Sequence, residues 1–327
     1  MRFDGFVGNE QAKALIGAAV DGGRLPHALL IEGPKGSGRR RLAHIIANAA
    51  VCTADEKPCG VCLPCRKAET GHPDILVLQG DGSAKSLSVD VIRNLREQVA
   101  VVPNEADRKV AILADADCMN VQAQNALLKI LEEPPSYMVF ILTAQSRTQF
   151  LPTVQSRCVC VNLLGVSEQE ALGVLKERLP AQTEDDLLMR VRLFSGCIGA
   201  VLDSVGDDAF VQTVALIERL AKAIVAPREL ELMQATGPLE RDKPLTDAVL
   251  SGLSMVLRDA LALSAGSTVS VSVSPAAAKT LAGALTGRQL MACVAVTEEL
   301  AASRRRNMNQ TLLITLLCAR LRAAAGR

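Results

Sequence analysis

Five short, unbroken apolar runs constrain the first half of this chain most: Ala28–Ile31 (ALLI), Ile75–Leu78 (ILVL), Val110–Leu113 (VAIL), Met138–Thr143 (MVFILT) and Cys158–Val161. A strand with one wet face alternates apolar and polar residues, whereas a strand covered on both faces does not. Runs of this kind therefore predict a parallel sheet with helices on either side. The segments between them read as those helices. Ser88 fits an N-cap, with Asp90 in the first turn and Ile92, Leu95 and Val99 on one face. Ala123–Leu131 (AQNALLKIL) is a second helix, halted by Pro134 and Pro135.

Beyond residue 163 the strand signal fades. Val166–Leu179 and Glu184–Phe194 read as short helices that end near Gly196 and Gly199, and from about 207 the chain is Ala/Leu-rich and helical through Arg322. Thr268–Ser274 (TVSVSVS) alternates like a strand, but its neighbours Gly266 and Pro275 favour an irregular loop between helices. The fold class is thus α/β followed by all-α. At 327 residues the chain has room for two or three domains, and with 49% hydrophobic but only 2% aromatic residues its core must be aliphatic.

The first apolar run leads into GPKGSGRR, Gly33–Arg40. Its glycines, Gly33, Gly36 and Gly38, have the spacing of a phosphate-binding loop, and a strand before and a helix after are the right setting. Such a loop cradles phosphate with backbone N–H groups at a helix N-terminus. The chemistry has gone, however. Arg39 stands where a lysine would bridge the β- and γ-phosphates, and Arg40 where a hydroxyl would hold Mg²⁺. A cation at 40 repels the metal, and the planar guanidinium at 39 does not replace a lysine point charge. The bland alternative is a Gly-rich turn with its arginines in solvent.

A nucleotide enzyme of this kind also ends an apolar strand in acid, to hold Mg²⁺ and polarise water. Here Val110–Leu113 ends in Ala114-Asp115-Ala116-Asp117. Aligned by the apolar run, Ala114 takes the metal-holding place and Asp115 that of the second acid. A one-residue slip would make Asp115 the metal ligand. With clamp and anchor both altered, productive ATP binding and hydrolysis by this chain are not expected.

Cys52, Cys59, Cys62 and Cys65 fall within fourteen residues, CTADEKPCGVCLPC. Four thiolates at this spacing can close a tetrahedral Zn²⁺ site, and a closed S₄ set leaves no open position for catalysis. An iron–sulfur cluster, a redox dithiol or four buried thiols remain the alternatives. Pro58, Gly60 and Pro64 are expected to keep the segment in turns. No apolar leader opens the chain and no apolar run reaches bilayer length, so a reducing cytoplasm and no membrane are expected, where clustered cysteines read as metal ligands. A formal net charge of +1 advertises no global affinity for nucleic acid.

In chain order, HALLIEGPKGSGR, the cysteine cluster, GHPDILVL, KVAILADADCMNVQAQNALLKILEEPP and LPTVQSRC resemble the delta-prime subunits of bacterial DNA polymerase III clamp loaders, an AAA+ family. The likeness is dense from about residue 5 to 163 and looser through FSGCIGAVL. It then rests mainly on helicity and the closing NMNQTLLITLL. The resemblance implies a RecA-like AAA+ domain at 1–163, a small helical lid at 164–207 and a helical collar at 208–327. It implies a non-motor component of the polymerase III holoenzyme, in a hetero-oligomeric ring with motor ATPase subunits and delta, meeting the sliding clamp and primer–template DNA through that complex. Ser156, Arg157 and Cys158 match a Ser-Arg-Cys motif whose arginine reaches into a neighbour's ATP site as an arginine finger. Thr143, at the end of the fourth strand, matches a sensor of the γ-phosphate, here vestigial and left to satisfy backbone. Gly199 falls where active relatives carry an arginine, and Lys129 lies in the segment that relatives use near DNA.

Two other readings stand beside this one. An active loader ATPase should show Gly-Lys-Ser/Thr and an Asp-Glu pair, and this chain has neither. A zinc-stabilised DNA-binding module would need a basic face, for which only the short runs Arg39–Arg41 and Arg304–Arg306 offer themselves.

Overall fold

A computed structural model describes residues 1–79, 87–305 and 308–327, so Arg306 of the second basic run lies outside the described residues. The chain forms two compact units: residues 1–171 with 196–200, and residues 172–195 with 201–327. The segment 164–207 contributes to both.

In chain order the first stretch holds α1 (Glu10–Asp21), β1 (Ala28–Glu32), α2 (Arg39–Val51), α3 (Leu63–Thr70), β2 (Ile75–Leu78), α4 (Val89–Val99), β3 (Lys109–Leu113), α5 (Val121–Glu132), β4 (Met138–Ala144), α6 (Pro152–Gln155) and β5 (Val159–Asn162). The five strands form one parallel sheet in the order β2-β3-β4-β1-β5. Each apolar run became a strand. The three inner ones, β1, β3 and β4, are buried along their length except for Glu32 at the end of β1, while the edge strands β2 and β5 are partly exposed. Alternate residues feed two cores. Leu30, Leu113, Phe140 and Leu142 pack with Ile92, Leu95 and Leu127 on one side, and Leu29, Ile31, Ile112 and Ile141 with Leu42 and Ile46 on the other.

Two local features were hidden in the pattern. Lys109 opens a buried strand because its ammonium donates to the carbonyls of Gln98 (2.8 Å) and Val101 (3.1 Å) at the C-terminal end of α4, where a cation suits the helix dipole. Helix α5 begins at Val121, ahead of the apolar run, because the Asn120 side chain caps it by accepting from Ala123 N at 2.8 Å. It ends at Glu132, before the prolines. Ser88 caps α4 as expected, accepting from Val91 N at 3.4 Å.

The remaining helices are α7 (Glu168–Arg178), α8 (Glu184–Leu193), α9 (Ile198–Ser204), α10 (Asp208–Val225), α11 (Glu229–Thr236), α12 (Lys243–Ser264), α13 (Pro275–Ala284), α14 (Gly287–Arg305) and α15 (Gln310–Ala324). The second unit is helical around an aliphatic core that includes Ile217, Leu220, Leu253, Leu257, Leu281 and Leu317. Thr268–Ser274 lies in an irregular loop. The buried Asp259 carboxylate accepts the N–H groups of Val271 (3.0 Å) and Ser272 (2.7 Å), which a sheet ladder would otherwise need. Among the described residues no helix is long and apolar enough to cross a membrane.

Candidate functional site

Parallel strands bring their C-terminal ends to one edge, and the loops there form the usual place for a ligand. Ile31 pairs with Thr143, and Leu113 with Leu142. The loops after β1 and β3 and the end of β4 therefore meet: Gly33–Arg40, Ala114–Asp115 and Thr143.

The loop folds as a phosphate loop folds. Gly36 has φ 81°, and a Cβ there would lie 2.1 Å from the backbone nitrogen of Ala200. Gly38 has φ 92° and caps α2, with a Phe6 ring carbon 2.9 Å from where its Cβ would be. Backbone of this handedness favours glycine. The loop is also covered: Gly199 N donates to Gly36 O at 2.9 Å. A Cβ at 199 would sit 3.0 Å from Gly36 Cα, so the position matched to an arginine in active relatives has backbone against it.

The arginines are not idle in solvent. Arg39 is only 7% exposed, and its Nη2 lies 3.4 Å from Asp115 Oδ1. Arg40 Nη2 meets the other oxygen of Asp115 at 2.5 Å. Burial lowers the Arg39 pKa, and the carboxylates of Asp115 and Asp117 work against that shift. Asp115 itself adopts left-handed backbone (φ 49°), and its N–H donates to Thr143 Oγ1 at 3.0 Å. One acid thus bridges two guanidinium groups. Ala114 is buried and brings no oxygen ligand from its side chain. Thr143, fully buried, uses its hydroxyl to hold Asp115. Where a divalent ion would need carboxylates and a hydroxyl, this edge presents two cations and an acid already paired to them.

The four cysteines gather at the far end of α2. Cys52 follows the last turn of α2, Cys59 lies in the loop, Cys62 caps α3 and Cys65 is in its first turn. Pro64 therefore starts a helix instead of continuing a turn; a proline in the first turn costs no intrahelical bond. The four sulfurs lie within 4.8 Å of one another, with Cys52–Cys62 at 3.9 Å and Cys59–Cys65 at 4.0 Å. A tetrahedron with Zn–S bonds of about 2.3 Å has edges of about 3.8 Å, so the thiol set fits such an ion. Backbone N–H groups of Cys59 and Cys62 point at sulfur, at 3.4 Å and 3.3 Å. The two outer ligands are buried and the two middle ones half-buried.

The third feature is the loop after β4. Arg157 is half-buried, with its side chain 33% exposed. Its Nη2 donates to Glu132 Oε1 at 2.7 Å, and its Nη1 to Thr153 O at 2.9 Å and Ser156 Oγ at 3.4 Å. Ser156 in turn donates to Thr153 O at 3.1 Å. Burial pushes the Cys158 thiol up to about 12, with Cys160 adding to it, so this sulfur packs as a small apolar group and is no nucleophile. Sequence reasoning missed Gln124. Buried on α5, it donates to Met119 O and Gln149 O, both at 3.1 Å, and accepts from Leu151 N at 2.8 Å. It fastens the strand of chain that leads into α6 and Arg157. The available signal was a polar residue beside Ala123 and Leu127 on a face otherwise apolar.

A five-stranded parallel sheet with a glycine loop between an inner strand and a helix is the frame of a nucleotide-binding α/β domain. A family model described as "DNA polymerase III, delta subunit" matches residues 8–167. The delta' subunit of Escherichia coli DNA polymerase III is 31% identical over 247 residues, 75% of this chain and 72% of that one. The chain belongs to the DNA polymerase III delta-prime family. The delta' subunit of Pseudomonas aeruginosa is 41% identical over 143 residues, 42% of this chain and 44% of its own. The gamma/tau subunit of Mycobacterium tuberculosis is 35% identical over 153 residues, 46% of this chain but 26% of its own. The match thus spans only a quarter to under half of the latter two relatives. Among solved structures, a DNA polymerase III gamma subunit-related protein of Thermotoga maritima aligns over 97% of this chain and 99% of that one. It does so at 22% identity with a TM-score of 0.40, a likeness too loose to build on.

Proposed function

We propose that this chain is a non-motor subunit of a bacterial clamp loader. It takes a place in a hetero-oligomeric ring with motor ATPase subunits and delta, and lends Arg157 to the ATP site of a neighbour. Through that ring it serves the loading of a sliding clamp on primer–template DNA in the cytoplasm, as part of the polymerase III holoenzyme. Residues 1–163 act as the RecA-like AAA+ domain, 164–207 as the lid and 208–327 as the collar. The cysteines hold one structural Zn²⁺, which stiffens the end of α2.

One observation carries the reading: Arg39 and Arg40, which stand where a lysine and a hydroxyl would grip Mg·ATP, both turn on the single acid Asp115, while Arg157 is held in one direction on a short loop ahead of β5 with a third of its side chain exposed. In a phosphoryl transfer, charge spreads over the γ-phosphoryl oxygens, and a guanidinium brought up from the neighbouring subunit stabilises it. Arg157 supplies that cation, Thr153 O and Ser156 aim it, and Gln124 anchors its loop. The chain's own loop keeps its shape for the ring without gripping Mg·ATP.

The test is an assembled loader carrying Arg157→Ala. DNA-stimulated ATP hydrolysis should lose the share of the site beside this subunit while assembly is kept. Unchanged turnover would refute the finger. The runner-up, an active loader ATPase, draws on the gamma/tau likeness over 46% of the chain. Magnesium-dependent hydrolysis by the purified chain alone would favour it.

A further inference from the structure

Glu132 is the last residue of α5, and its carboxylate sits 2.7 Å from the Arg157 guanidinium. An acid at the C-terminal end of a helix is poorly placed on its own account, because the unpaired carbonyls there already carry partial negative charge. Arg157 relieves that repulsion. The same contact has a cost for an arginine that must meet phosphate. Of its donors, Nη1 is held by Thr153 O and Ser156 Oγ, and Nη2 faces Glu132. A phosphoryl oxygen approaching Nη2 would come up against a carboxylate of like charge. The two anions compete for one cation.

We infer that Glu132 is a built-in competitor for the finger: in the free chain it parks Arg157, and the neighbour's nucleotide must displace it before the guanidinium engages. This rests on the reading of Arg157 as a finger and adds a gate to it. Glu132 is a positioning residue, acting only through Arg157. The gate is shallow. The Glu132 side chain is 48% exposed and that of Arg157 33%, so water and salt screen the pair, and exposed pairs of this kind are weak. A shallow gate suits the purpose, since a triphosphate with its metal outbids a single screened carboxylate. The Thr153 carbonyl and Ser156 hydroxyl stay in place when Glu132 lets go, so the arginine is released at one end and still aimed at the other.

The experiment compares Glu132→Gln, Glu133→Gln and Arg157→Ala in the assembled loader, following ATP hydrolysis against ATP concentration. Glutamine keeps the shape of Glu132 and removes its charge; Glu133→Gln removes the same charge one residue away. Glu132→Gln is expected to lower the half-saturating ATP concentration roughly two- to fivefold, the range an exposed ion pair supports, without lowering kcat. Glu133→Gln is expected to leave both unchanged. A gain of this kind is not what a structural lesion produces. If Glu132→Gln matches the parent, or falls with Arg157→Ala, then Glu132 is no competitor and the gate is overturned while the finger stands. If Arg157→Ala has no effect, the finger reading fails and the gate with it. An equal gain from both glutamines overturns the specific contact in favour of net charge.

Discussion

The phosphate loop follows the inner strand β1 and the arginine loop leads into the edge strand β5; both are built around arginine, yet they use it in different ways. At the phosphate loop, Arg39 is 7% exposed and shares Asp115 with Arg40, and the turn carrying Gly199 rests on Gly36. At the arginine loop, Arg157 is held by a carbonyl, a hydroxyl and one half-exposed carboxylate. In the first arrangement two cations share one acid, and Arg39 Nη1 and Ser37 Oγ are buried without a hydrogen-bond partner among the described residues. The second holds one cation in a fixed direction with a carbonyl, a hydroxyl and a carboxylate, and leaves a third of its side chain exposed, less than the 49% of Arg40, so the loops differ in where they aim an arginine and not in how open it is.

Arg157→Ala tests that contrast most strongly. An arginine finger is worth on the order of 10³-fold or more in rate, so hydrolysis at the adjacent site of an assembled loader should all but stop. A loader indifferent to it would erase the difference between the loops.

The cysteine cluster provides the next largest effect. Metal analysis should give about one zinc per chain, and Cys62→Ser should lower both zinc content and thermal stability. The loss should far exceed the ~0.5 kcal/mol of an ordinary surface change. Any chain that still assembles should keep its Arg157-dependent stimulation, because the cluster adjoins α2 and not the arginine loop. Loss of stimulation in a fully assembled complex would tie the two regions together.

Asp115→Asn leaves Arg39 buried beside a neutral partner. It should lower the urea midpoint by the equivalent of about 1–2 kcal/mol, less than for a fully buried pair because Asp115 is 42% exposed on its side chain. Turnover by the assembled loader should hold. An Asp115→Asn chain as stable as the parent would mean that Asp115 does not hold the two arginines.

The smallest expected effect is the most pointed. Arg39→Lys with Arg40→Thr restores the residues of an active loop, yet hydrolysis by the purified chain should stay at background. Ala114 still offers no oxygen, and Gly199 still brings no guanidinium, with the Gly36 backbone 3.0 Å from where its Cβ would be. Appreciable magnesium-dependent turnover would show that two residues alone separate this loop from a working one.

Much of this was legible in one dimension. The unbroken apolar runs became the parallel strands, because a strand buried on both faces has no wet side to mark. The loss of lysine and hydroxyl at Arg39 and Arg40 could be read directly, since a phosphate loop is a local structure whose glycines and side chains lie within eight residues. The cysteines were equally readable, as ligands closely spaced along a chain can meet around one ion. Composition likewise settled that the cores are aliphatic.

Other facts needed the chain to close on itself. Asp115 lies 75 positions from Arg40 and meets it only because β1 and β3 flank β4 and end at one edge. Glu132 lies 25 positions from Arg157, and Gln124 reaches the same loop from two turns earlier in α5. Gly199 touches Gly36 across about half the chain. Sequence patterns report what a residue does for its own helix or strand. Which charges cancel and which stay open depends on distances of a few ångströms between distant segments, and only the packed sheet sets those.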